Sequence, residues 1–137
     1  MMIKLDRDFV SEKMEGFCSE LLEQEDFQAL REMIENFAAD QSAQDQYNQF
    51  VDQYEAYQQK DQEMGLTEEE VAALEQAEMN LYESTVIREY LFAQREFSTI
   101  HDLISQYYQK TVELNRLPLP RELKKEGCGC GGACGGH

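Results

Sequence analysis

Tryptophan is absent from this 137-residue chain, and proline is reduced to Pro118 and Pro120, which flank Leu119 near the end. Glycine is as scarce before them: of eight, only Gly16 and Gly65 precede Pro118. So few breakers exclude a turn-rich fold, because Gly and Pro supply most of the backbone geometries that tight turns need. No run of β-branched residues alternates with polar ones, which argues against a sheet. Basic charge is short as well, with 12 Lys and Arg against 28 Asp and Glu and a net charge of −16. Nine of those basic residues and 26 of the acids precede Arg121, giving the body −17. Nucleic acids are bound largely through Lys and Arg contacts that release counterions, so direct binding of RNA or DNA by this chain is not expected. The acids read instead as solvated helix faces. No apolar run approaches the ~18 residues of a membrane span. Met1-Met2-Ile3-Lys4-Leu5-Asp6 shows no apolar signal-peptide core. The expected location is the cytoplasm, where thiols stay reduced and clustered cysteines read as metal ligands.

Abundant Glu, Gln, Leu, Ala and Met predict helix throughout. A first helix is expected from about Asp6 to Gln24, with Val10, Met14, Phe17 and Leu21 stepping by four, three and four along one stripe. Cys18 lies beside that stripe and reads as a small core hydrophobe. Asp26 is expected to cap a second helix bearing Phe27, Leu30, Ile34 and Phe37. A break near Asp40 precedes a third, from Ser42 to Met64, with Ala43, Tyr47, Phe50, Tyr54 and Tyr57 on one side and Gly65 as an αL terminator. Thr67-Glu68-Glu69-Glu70 is a capping box that opens a fourth helix bearing Val71, Leu74 and Leu81. Ser84 caps a fifth.

That fifth helix has the strongest pattern. Apolar positions from Val86 through Tyr90, Ala93, Phe97 and Ile100 continue to Leu114, alternating steps of four and three. Such a heptad seam suits antiparallel neighbours or a second chain, and a helix near 30 residues exceeds what this chain readily covers. A homo-oligomer is therefore expected. His101, beside the seam, reads as a satisfied or exposed histidine rather than a ligand. Leu117-Pro118-Leu119-Pro120 ends the helix, since proline disfavours helical geometry in the residue before it. The expected architecture is all-α: a bundle of about five helices over residues 1–116 with a long C-terminal helix, then a Pro linker and flexible Cys/Gly-rich tail over 117–137.

Catalytic constellations are missing. There is no Gly-rich phosphate loop, no Gly-x-Ser-x-Gly and no His-Glu-x-x-His. Ser98 and Cys134 stand three residues before His101 and His137, where a di-metal carboxylate bundle would place Glu. The chain is not expected to be an enzyme. Chemistry concentrates in the tail, which reads Cys128-x-Cys130-x-x-x-Cys134-x-x-His137 and holds three of the four cysteines. A Gly and Cys segment cannot bury enough apolar surface to offset its ordering, so packing does not explain it. Closely spaced thiolates suit a soft metal or an iron–sulfur cluster. Three fall short of the usual four ligands, and the fourth is left to His137, Cys18, a small molecule or another polypeptide. Zinc and copper(I) remain alternatives, as does an incidental tail on a structural helical oligomer.

The whole combination resembles the YlbF/YmcA family of bacterial regulators. The resemblance rests on Phe27-Gln28-Ala29-Leu30 through Phe37, on the Tyr47–Tyr57 helix, and on Ser84-Thr85-Val86-Ile87-Arg88-Glu89-Tyr90. Its most specific part is Cys128-Gly129-Cys130-Gly131-Gly132-Ala133-Cys134. The resemblance implies a non-catalytic cytoplasmic helical bundle that self-associates. It further implies assembly with YlbF, YmcA and YaaT-type partners in a complex that carries iron–sulfur clusters. In Bacillus-type bacteria that complex supports competence, sporulation and biofilm formation, in part by assisting RNase Y in messenger RNA processing. By the same carry-over Cys128, Cys130 and Cys134 are cluster ligands, with a partner completing the shell. The tail departs from the family in being shorter and in ending on His137.

Overall fold

The computed structural model describes residues 2–123, and these form five α-helices with no strand among them. The helices are α1 (Arg7–Glu23), α2 (Glu25–Ala38), α3 (Gln41–Met64), α4 (Glu68–Tyr82) and α5 (Thr85–Leu114), followed by a short 3₁₀ turn at Pro120–Glu122. Each boundary has a local cause. Asp6, Asp40, Thr67 and Ser84 stand in extended conformation before α1, α3, α4 and α5, and each side chain accepts from a backbone N–H three residues on. That satisfies donors which a helix start leaves without partners. The capping box closes as the sequence predicts: Thr67 Oγ1 accepts from the Glu70 N–H at 3.1 Å, and Glu70 Oε1 accepts from the Thr67 N–H at 3.0 Å.

Two boundaries differ from expectation. α2 begins one residue before Asp26, which sits inside the first turn, and its N-cap is Gln24, whose side chain makes no capping bond. The helix starts so soon after α1 that only Gln24 interrupts the two. Gly65 terminates α3 with φ 79° and ψ 167°, so glycine is needed for its positive φ, although this is not the αL geometry. Asn115 supplies the αL residue instead, at the end of α5 with φ 58°.

Helix ends are tied together by side chains that reach orphaned carbonyls. Gln44 Nε2 donates to the carbonyls of Phe37 and Ala38 at 3.0 and 2.7 Å, closing the end of α2. Arg88 does the same for Tyr82 O at 2.7 Å, at the end of α4. Lys60 on α3 pairs with Glu70, which fastens the α4 N-terminus to α3.

The core is built where the turns converge. Phe37, Ala43, Leu81 and Ile87 form a buried cluster, with Tyr47, Phe50, Val86, Tyr90 and Leu91 packed against it. Ile87 and Ala93 on α5 are completely buried. Phe37 stacks on Tyr90 with ring centroids 3.8 Å apart, and Tyr47 meets both rings edge-on. Farther along, Phe27 meets Phe97 edge-on at 5.4 Å. α2 thus runs antiparallel to α5, because Phe27 to Phe37 ascends while Phe97 to Tyr90 descends. α3 lies against α4, and α1 approaches only α2. This last arrangement determines most of what the surface offers.

Candidate functional site

The seam of α5 divides into two halves. Over its first half Ala93 is buried and Val86, Tyr90 and Phe97 are half-buried, while the completely buried Ile87 lies beside the seam rather than on it. From Ile100 onward the cover thins: Ile100, Ile104, Tyr107 and Leu114 are exposed, with Thr111 between them half-buried. Their neighbours Tyr108 and Val112 are 68% and 65% exposed, which widens the bare strip. α1 has no buried residue at all. Its stripe of Val10, Met14 and Phe17 is exposed, as is Phe9.

Cys18 is accordingly exposed, which corrects its reading as a core hydrophobe. Its position beside the stripe was read correctly. The stripe has no facing helix, since α1 touches only α2. His101 is exposed, with its ring 3.7 Å from the neighbouring Asp102 carboxylate. Among the described residues no group of three or more His, Cys, Asp or Glu is arranged to hold a metal ion. Cys128, Cys130, Cys134 and His137 lie outside the described residues. Carboxylates line the surface grooves instead, as at Glu75, Glu78 and Glu83 around Met79 and Tyr82 on α4.

The segment that leads into the tail is well held. After Asn115 reverses the backbone, Arg116 grips Glu122 in a two-pronged ion pair, with both N–H···O distances 2.8 Å. The same carboxylate accepts from the Leu119 N–H at 2.6 Å, and Pro118 between them is buried. The Arg116 guanidinium, then the Leu119 amide, hold the Glu122 carboxyl at about 2, well below its ordinary value. The Glu122 carboxylate in turn raises Arg116. Sequence reading missed this clamp, although an Arg and a Glu six residues apart around a double proline carry a weak signal of it.

In the core, burial raises the Tyr90 hydroxyl, with nearby Tyr47 adding to the effect. Gln94 Nε2 donates to that hydroxyl at 2.6 Å. These groups sit in an aromatic cluster that fixes α5 against α2 and α3.

A helical scaffold with long uncovered apolar stripes is the class of protein these features define. Residues 10–113, more than half of the chain, match the family model described as control of competence regulator ComK, YlbF/YmcA. The chain belongs to the YlbF/YmcA family. No curated protein and no solved structure matches it. No helix among the described residues is long and apolar enough to cross a membrane.

Proposed function

We propose that this chain is a non-catalytic regulatory adaptor, acting in the cytoplasm, that self-associates and assembles with protein partners of the YlbF, YmcA and YaaT type. The observation that carries this reading is the family match, which spans α1 to α5 and belongs to regulators of competence. Uncovered apolar surface on α1 and α5 supports it, because exposed apolar strips of this length mark interaction sites. In this reading RNase Y-dependent messenger RNA processing is the downstream process, reached through partners rather than through contact with RNA. A body of −17 has little to offer a phosphate backbone.

The cofactor proposed is an iron–sulfur cluster on Cys128, Cys130 and Cys134, with His137 or a partner supplying what three thiolates lack. The donor chemistry fits: soft thiolates are the cluster ligands, and flanking glycines let amide N–H groups approach sulfur. The described residues contribute no ligand set of their own. Zinc bound by the same residues is the second reading, favoured by the His137 that closes the motif.

Anaerobic affinity purification from the native host, followed by iron, sulfide and zinc analysis, tests this proposal. Iron and sulfide in matching amounts, lost together in the triple Cys128/Cys130/Cys134→Ser variant, are the expected result. Zinc without sulfide overturns the cluster in favour of the second reading. Absence of any co-purifying partner overturns the adaptor.

A further inference from the structure

The two bare stripes of this molecule match one another. On α5 the uncovered seam runs from Ile100 to Leu114, 15 residues and therefore about 22 Å long. α1 spans 17 residues, or about 25 Å, with Val10, Met14 and Phe17 along one face. Both patterns step by three and four, as two helices packed side by side require. Within one chain they do not meet: no α1 residue brings its Cα within 8 Å of α5 among the described residues.

α1 nevertheless leaves the bundle at the right place. Phe27, three residues beyond the Gln24 break, packs on Phe97. The base of α1 therefore stands where the cover over α5 ends. A helix that starts beside an exposed seam of its own length, yet is not on it, is free to meet that seam in a second molecule. We propose that two copies of this chain pair by reciprocal exchange, α1 of each lying on the Ile100–Leu114 half of α5 of the other. The proposal deepens the self-association read above and rests on it.

Size and symmetry support a second copy as the occupant. Together with Phe9, Tyr108 and Val112, the two stripes expose roughly 900 Å² per chain, comparable to the roughly 800 Å² per partner of a stable interface. A two-fold exchange covers both stripes of both molecules and closes on itself. A single foreign helix would cover one stripe and leave the other in water, as would α5 pairing with α5.

The test uses full-length chains carrying substitutions at exposed positions. One variant is V10E/F17E on α1, the other I104K/Y107K on α5. Light scattering at micromolar concentration is expected to find a wild-type dimer and two monomeric variants, each weakened at least about 100-fold by charges brought into an apolar interface. Mixing the variants is expected to restore a dimer, seen by native mass spectrometry with one chain isotopically labelled. In that heterodimer one exchange site is wild type and the other sets Glu against Lys. Circular dichroism checks that both variants keep the helix content of the parent, and Met14→Glu replaces V10E/F17E should that pair lose it.

A monomeric wild type overturns both the exchange and the self-association beneath it. A wild-type dimer that persists in either variant overturns the exchange alone, since the contact then lies elsewhere. Monomeric variants that fail to combine on mixing also overturn the exchange.

Discussion

Ile87 shows how unevenly stability is distributed among residues of the same chemistry. It is completely buried beside Phe37, Ala43 and Leu81, whereas Met79 on α4 is 61% exposed. Ile87→Ala opens a cavity in a small core and is expected to cost about 2–5 kcal/mol in chemical denaturation. Met79→Ala is expected to stay within about 0.5 kcal/mol, because it removes little buried surface and inserts a good helix former. Glu122 makes a prediction about pH. Its carboxyl lies at about 2 in the folded chain, below the ordinary 4.5, so its contribution is fully present above about pH 4.5 and lost as the pH falls through about 2. Amide exchange at Leu119, whose N–H donates to Glu122, is expected to quicken relative to its intrinsic rate at each pH over that window, and to quicken in Glu122→Gln at neutral pH. Arg116→Lys is expected to quicken it too, since a lysine keeps the charge but cannot form the two-pronged pair.

At the scale of the element, caps decide where helices begin and packing decides which of their faces matter. α4 depends on Thr67, which accepts from Glu70 while Glu70 reaches back and also pairs with Lys60 on α3. Lys60 and the Thr67 backbone hold Glu70 below its ordinary value. Thr67→Ala is expected to cost about 0.5–2 kcal/mol by thermal or urea unfolding, with amide exchange quickening first at the α4 N-terminus. α5 carries one uninterrupted pattern with two fates. Its first half holds the buried Ile87 and Ala93 and the ring contacts to Phe37 and Phe27, and its second half holds no buried residue. Periodicity shows that a helix has an apolar face. It carries no information on whether a partner reaches that face.

For the whole molecule, the bundle and the tail are expected to separate functionally. Deleting residues after Leu123 is expected to leave the helical signal and the proposed oligomeric mass unchanged, while removing the iron–sulfur cluster proposed on Cys128, Cys130 and Cys134. Circular dichroism, light scattering and metal analysis on one preparation check all three. A loss of oligomeric mass on that deletion would move the self-association surface from the helices to the tail.

Helix content, the N-caps Thr67 and Ser84, the α4 capping box and the all-α class were legible in the sequence, because they depend on contacts within a few residues. The α5 seam and the core residues Phe37, Leu81 and Ala93 were legible as well, since a repeat of three and four marks one face of a helix. The exposure of Cys18 and of the α1 stripe was not, and neither was the point at Ile100 where cover over α5 ends. Nor was the Arg116–Glu122 clamp, which depends on the backbone reversing at Asn115. Those features were decided by the direction α1 takes after a one-residue break and by the length of α5 relative to its neighbours. Local patterns specify elements. Which apolar faces reach water depends on how far apart the finished elements come to rest.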